Sequence, residues 1–425
     1  MFEPLPQEPE HADRRLRRLA SADTVAETAK RAVGVAFVSS GFGFSSWASR
    51  IPAIRDQLQA SPSTLGLILL GGGVGAVIAV PLGGVVVAKL GAARTVAVMS
   101  ICLAVGLAVV AVGSIIGIGP TIAGLALVGF GNGIWNVAMN VEGAAVEQRL
   151  RRAIMPKFHA GFSVGTVGGA ALGAVMVAFG VPVTAHLLGV AVLFGAVVPL
   201  ASKRFLPVSA EAESHAAGPT ADRPRNPLRA WTEPRTLLLG LFVLCLAFTE
   251  GTGNDWLAIA MIDGHGAPAA LGSLTLAIFL ASMTAGRWFG PALIDRYGRV
   301  LVLRICCLVA LGGLILVVYS QVLALAVVGA VLLGLGASLG FPVGLSAAGD
   351  DPLYAAGRVS VVASIGYSAF LLGPPLIGLL GDRIGVLRAL TVTGVLLLLA
   401  ALLAGITKPV TTSAPTDSPP EAPKT

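Results

Sequence analysis

The sequence predicts an all-α membrane protein of twelve transmembrane helices in two six-helix repeats. Three observations predict it. Of 425 residues, 55% are hydrophobic and 12% charged, where a soluble domain carries about 25% charged residues, so polar groups are too few to cover a wetted surface. The apolar residues gather into runs of about 20, the length a helix needs to cross hydrocarbon. Paired motifs also recur in the two halves of the chain at a separation of about 205 residues. The same composition excludes a single soluble core, a disordered chain, a coiled coil and a disulfide-stapled secreted scaffold.

In chain order, spans are expected at 32–50, 64–88, 95–116, 121–142, 158–180 and 184–202, then at 236–260, 269–293, 301–319, 322–345, 359–381 and 388–406. Helices are the right element, because lipid offers backbone groups no partner and the runs are twice the length of a barrel strand. Residues 1–31 form an N-terminal tail with no apolar core, so no cleavable signal peptide is expected. Within it Arg14, Arg15, Arg17 and Arg18 alternate with Leu16 and Leu19. This cluster reads either as a short amphipathic segment on anionic lipid or as a plain retention signal for the cytoplasmic side. The bundles 32–202 and 236–406 are joined by a linker at 203–235, rich in Pro, Ala and charge, and residues 407–425 read as a disordered tail.

Charge sets the expected orientation. Placing the N-terminus inside leaves only Arg50, Arg55, Arg383 and Arg388, of 29 Lys and Arg, on the outer side. Both termini are therefore expected in the cytoplasm, at the plasma membrane. The net charge of +7 is a topological signal rather than a nucleic-acid footprint. Cys102, Cys245, Cys306 and Cys307 all fall within expected spans, so they read as packing residues and imply no disulfide framework.

The repeats are visible as Leu65-Gly66 against Leu271-Gly272, Gly91 against Gly298, Gly129-Phe130-Gly131 against Gly334-Leu335-Gly336, and Ser163-Val164-Gly165 against Ser364-Ile365-Gly366. Two parallel six-helix repeats are a carrier plan, with a site near the midplane between them.

The turn after span 8 runs Gly290-Pro291-Ala292-Leu293-Ile294-Asp295-Arg296-Tyr297-Gly298-Arg299. It resembles the loop signature of the major facilitator superfamily, with its leading Gly one residue further upstream. Gly298 suits a tight reversal, while Arg296 and Arg299 suit a helix C-terminus and a cytoplasmic face. The resemblance implies that the acidic residue contacts a neighbouring helix and helps hold the cytoplasmic side closed. The first-half copy keeps Gly84, Lys89, Gly91 and Arg94 but has Ala88 at the acidic position, so such a latch should lean on Asp295. Four further stretches are similar to a bacterial branch allied to fucose permease. They are Trp47-Ala48-Ser49-Arg50-Ile51-Pro52, Asn140-Val141-Glu142, Lys157-Phe158-His159 through Gly165, and Glu250-Gly251-Thr252-Gly253-Asn254-Asp255-Trp256.

Polar groups inside spans are expensive and mark candidate sites. Asn132, Asn136 and Asn140 recur every fourth residue, with Trp135 and Glu142 on the neighbouring stripe. This face either lines a cavity, which we expect, or bonds to adjacent helices as packing glue. Glu142 either joins it, is solvated, or pairs with Arg149. Arg50 and Asp255 lie at matched depths, roughly 28–30 Å from the inner ends of spans 1 and 7, with Glu250 near 22 Å. They read as an outer-mouth pair, Arg50 with Asp255 or Glu250, or as separate groups reaching headgroups. Glu250 is the first candidate for proton binding. His159 caps or packs at the start of span 5, or relays protons. Arg287 either snorkels or meets an acidic partner. Trp47, Asn254, Trp256 and Tyr367 complete the candidate solute-binding set.

No phosphate loop, metal-spaced Cys/His cluster or hydrolase signature is present in the sequence. The expectation is therefore a secondary transporter rather than an enzyme, working without a cofactor as a monomer in the lipid bilayer. Its partners would be a small organic solute and protons, and the alternative within transport is efflux of amphipathic compounds or drugs.

Overall fold

A computed structural model describes residues 8–207, 229–351 and 354–409, with side chains from Thr24 onward except at Ala356. The described residues are helical throughout and contain no β-strand. Residues 208–228 of the expected linker at 203–235, and the expected tail from residue 410 onward, lie outside them, as do the side chains of the N-terminal arginine cluster.

Span 1 is the end of a continuous helix, Glu8–Ala48, so the expected N-terminal tail is largely helical. A short helix, Ile51–Gln57, follows it. Span 2 is Pro62–Leu90, span 3 Ala92–Ile116, span 4 Ile118–Leu150, span 5 Met155–Ala178 and span 6 Val183–Ser202. Span 7 runs from Pro234 to Ile259 and on through one π-helical turn, Ala260–Gly264. Span 8 is Ala269–Tyr297, span 9 Arg299–Tyr319 and span 11 Ala355–Ile384. Span 10 is broken into Leu323–Ala337 and Gly340–Ala348, and span 12 into Val386–Ala389 and Thr391–Leu403.

Eleven of these helices are long and apolar enough to cross a membrane. The first is too polar to count by that measure, because Ser39, Ser40, Ser45 and Ser46 dilute its apolar run. All four serines are buried, along with Val33 and Phe37 of the same helix. Span 1 therefore sits inside the bundle, where neighbouring helices replace lipid as its surroundings.

Three of the reversals share one device. Gly91, Gly298 and Gly385 end spans 2, 8 and 11 at φ of 76°, 81° and 82°. Each donates its N–H to the carbonyl four residues back and begins the next helix. A side chain at that φ would be strained, so glycine is required there.

Helices of the first half pack chiefly 3 on 4, 2 on 4, and 1 on 5; in the second half 9 packs on 10 and 7 on 11. Lipid supplies no hydrophobic drive for helix association, so close approach through small residues carries the contact. A methyl group on Gly129 would collide with the Gly72 carbonyl, and one on Gly165 with the Val38 carbonyl.

The halves meet where span 2 packs on span 11 and span 5 on span 8. The hydrogen bonds and ion pairs that join them, among the described residues, lie at one end. Arg55 forms an ion pair with Asp263. The Ser63 N–H donates to Asp382 Oδ1 at 3.2 Å, and Ser273 Oγ donates to the Ser49 carbonyl at 3.1 Å. This is the far end, opposite the tail end where span 1 enters and span 12 leaves.

The glycine contacts predict a separable stability effect. Gly165→Ala and Gly129→Ala should each destabilise the purified protein by about 1–3 kcal/mol. Gly34→Ala, which meets nothing within 4 Å, should leave melting in detergent unchanged. Equal losses at all three positions would contradict backbone-to-backbone packing.

Candidate functional site

The break in span 10 organises the centre. At Ser338-Leu339 the α-helix lapses, and the Ser338 carbonyl accepts a hydrogen bond from Arg287 Nε at 3.2 Å. The same guanidinium reaches Glu250 of span 7, with Arg287 Nη2 2.9 and 2.8 Å from the two carboxylate oxygens. Spans 7, 8 and 10 are thereby joined by one charge-assisted contact. Both side chains keep partial exposure, 31% for Arg287 and 17% for Glu250, so the pair is not sealed in the core.

Gly286 and Gly290 of span 8 make room for this arrangement. A methyl on Gly286 would strike Ser338 Oγ, and one on Gly290 would press on the Leu339 side chain at 2.5 Å. Gly290, expected as the head of the cytoplasmic loop motif, thus lets span 10 bend against span 8.

Around the pair stand aromatic groups of the second half. Tyr367 is 40% exposed. Its ring lies 5.7 Å from that of Phe341 and 6.3 Å from that of Phe370. A methyl on Gly251, the residue after Glu250, would press on the Phe370 ring at 3.2 Å. The exposed His159 ring packs edge-on against Phe37 at 5.3 Å.

The amide stripe of span 4 is half-buried and ordered. Ser40 Oγ of span 1 donates to Asn132 Oδ1 at 2.9 Å. Asn136 Nδ2 donates to the Asn132 carbonyl at 2.9 Å, and Asn140 Nδ2 to the Asn136 carbonyl at 2.7 Å. Part of the stripe's capacity is therefore spent within its own helix, which leaves the Asn136 and Asn140 side-chain oxygens as acceptors.

Several expected site residues stand elsewhere. Trp135 has no exposed surface and packs edge-on against Phe194, centroids 6.3 Å apart. It points into the first-half bundle because it sits on the stripe beside the asparagines, not among them. Trp256, Asn254 and Trp47 are likewise buried. Glu142 is buried at the tail end, where it accepts the Leu206 N–H at 2.6 Å and does not meet Arg149.

The expected outer-mouth pair is not made. Arg50 is 3% exposed and donates from Nη2 to the Val181 carbonyl at 2.5 Å. The span 5–6 loop lies nearer to it than span 7 does, and Glu250 is committed to Arg287. Asp255 is half-buried and has no hydrogen-bond or ion-pair partner among the described residues. Arg287 does not snorkel; it is held by Glu250.

At the tail end, Asp295, Arg296, Gly84, Lys89 and Arg94 are exposed, and Asp295 makes no hydrogen bond or ion pair among the described residues. Arg299 pairs with Asp350 at 2.7 Å, tying the loop to the segment after span 10. Sequence reasoning missed Phe341, Phe370 and Ser338. Gly340-Phe341-Pro342, a glycine–aromatic–proline run inside an apolar stretch, was the available signal for the break in span 10.

Comparison with known proteins gives the same outline. The family model described as Major Facilitator Superfamily matches residues 33–369. An uncharacterized transporter, y4wD, of Sinorhizobium fredii is 33% identical over 384 residues, covering 89% of this chain and 98% of its own. An uncharacterized MFS-type transporter of Yersinia pestis is 30% identical over 370 residues, covering 86% and 92%. Among solved structures, the nucleoside transporter NupG superposes with a TM-score of 0.71 at 16% identity, covering 89% of this chain and 98% of its own. A bacterial homologue of the lysosomal transporter Spinster gives 0.70 at 12% identity, covering 90% and 97%. At these identities the structures show a shared fold.

The central contact predicts non-additivity. Glu250→Gln and Arg287→Gln should each lower stability by roughly 1.5–3 kcal/mol, and the double variant should lose less than the sum. Additive losses in melting or denaturant titration would show that the two side chains act independently.

Proposed function

The chain belongs to the Major Facilitator Superfamily, and on that premise we propose that it carries a small polar organic solute across the cytoplasmic membrane by alternating access. The observation that carries this reading is the partly exposed Glu250–Arg287 ion pair inside the second-half bundle, and we take the exposed Tyr367 ring and the half-buried span 4 amides to border the same solute path. A self-neutralised ion pair with amide acceptors can hydrogen-bond a neutral, hydroxyl-rich solute without leaving a net charge unpaired. The aromatic trio offers the apolar face of such a solute a surface to lie against. Sugar-like chemistry satisfies both features at once, and a zwitterionic amino-acid-like solute would bind by separating the pair.

The halves, 32–202 and 236–406, would rock around this centre, with the solute binding one state better than the other at each step. Hydrogen bonds and an ion pair join the halves at the far end and none does so at the tail end among the described residues, which supports a state open toward the tails. Charge distribution supports placing both termini in the cytoplasm. The work would be that of a monomer. An alliance with fucose permease rests on the four sequence stretches alone.

Coupling to protons is assigned to Asp255. A proton arriving at Glu250 must displace Arg287, whereas Asp255 carries no cation among the described residues and lies one turn nearer the closed end. Efflux of amphipathic compounds is the second reading, favoured by Phe341, Tyr367 and Phe370 and disfavoured by the charges beside them.

A thermal-shift screen of purified protein against sugars, amino acids and amphipathic cations tests the solute class. Stabilisation by polar solutes alone is expected, and by amphipathic cations alone would reverse the two readings. With a stabilising solute in hand, Asn136→Ala should raise KM roughly two- to tenfold, the worth of one net hydrogen bond. In proteoliposomes, Asp255→Asn should abolish accumulation driven by a pH gradient while sparing solute exchange. Unchanged gradient-driven accumulation would remove Asp255 from the coupling step.

A further inference from the structure

The loop after span 8 has a second copy at the opposite end of the protein. Asp295-Arg296-Tyr297-Gly298 recurs after span 11 as Asp382-Arg383-Ile384-Gly385, with the same spacing. The backbones agree as well as the residues. Gly298 lies at φ 81°, ψ 155° and Gly385 at φ 82°, ψ 147°, each donating its N–H four residues back, to Ile294 and Gly381. Spans 8 and 11 run in opposite directions across the membrane, so one copy faces the tail end and the other the far end.

The two aspartates differ in what they touch. Asp295 is exposed and makes no hydrogen bond or ion pair among the described residues. Asp382 reaches across to the other half and accepts the Ser63 N–H at 3.2 Å. Ser63 is the second residue of span 2, whose first-turn N–H groups have no partner inside the helix. A carboxylate there also meets the positive end of the helix dipole.

The approach is close enough to be geometrically demanding. A methyl on Gly381 would press on the Pro62 ring at 3.0 Å, and one on Gly378 would collide with the Pro62 carbonyl. One turn and more along, Gly66 meets the Pro374 backbone in the same way, at 2.5 Å. The glycines bring the two backbones together, and Asp382 then spans the remaining gap to an N–H group. The Arg55–Asp263 ion pair lies at the same end and joins the short helix after span 1 to the end of span 7.

We propose that Asp382 is a latch residue that holds the far end shut, and that it works in alternation with Asp295. The two loops, both in the second half, would engage at opposite ends in opposite states, one released while the other is fastened. First-half loops cannot supply the function in the same form, because Ala88 stands at the acidic position after span 2 and Val177 at that after span 5. This rests on the alternating-access reading but not on the identity or class of the solute.

The test is a distance measurement that needs no solute. Spin labels at Gln57→Cys and Arg388→Cys, in a background with the four native cysteines replaced, report the far-end separation. Asp382→Ala should raise the population with the far end open by about two- to fivefold, the worth of a charge at a helix N-terminus. Asp382→Glu should restore the original distribution, and Asp295→Ala should move it the other way or leave it closed. An unchanged distribution in Asp382→Ala would overturn the proposal. So would the two alanine variants opening the far end alike, which general loosening would produce. A melting curve on each variant separates unfolding from opening. A far end that never opens in any variant or detergent would count against alternating access itself, a different failure.

Discussion

A carboxylate and a guanidinium at hydrocarbon depth constrain everything near them. Neither can be left unpaired without a desolvation cost of several kcal/mol, so Glu250 and Arg287 fix the relation of span 7 to span 8. The third partner, the Ser338 carbonyl, exists as an acceptor because span 10 breaks there. The break in turn needs Gly286 and Gly290 to let Ser338 and Leu339 come close. Charge, helix break and glycine placement are thus one device, and the opening that borders it inherits its shape from all three.

The rest of the molecule is held by weaker and more evenly spread forces. Lipid makes apolar burial between helices nearly neutral, so contact quality decides packing. Where glycine admits a neighbouring backbone, as at Gly165 against Val38, the contact is tight and fixed. Where the halves meet, glycines again bring spans 2 and 11 together, but polar bonds at the far end join them. Such bonds are individually modest, which suits an interface that must separate and re-form.

Much of this was legible in the residues. Apolar run length gave twelve spans, and the loop glycines with flanking arginines marked the reversals at Gly91 and Gly298. Candidate polar residues were harder, because a sequence places a side chain at a depth but not on a face. Asn136 and Trp135 are adjacent in sequence, yet Asn136 is half-buried while Trp135 is fully buried against Phe194. Arg50 and Asp255 are matched in depth, yet Arg50 turns to the Val181 carbonyl within its own half. Glu250 and Arg287 lie 37 residues apart, on two helices whose relative rotation no local pattern encodes. The copy of the loop signature at Asp382 was readable, and only the contact with Ser63 gave it a meaning.

A carrier of this kind needs a wetted seam between its two bundles, open to one side at a time. Single cysteines at Asn136 and Tyr367, in a background without the native cysteines, can be probed with a membrane-impermeant maleimide from either face of vesicles. Labelling of both positions from the cytoplasmic face, slowed by a bound solute, is expected. Resistance of both cysteines from both faces, in a folded protein, would mean a dry centre and would contradict a carrier.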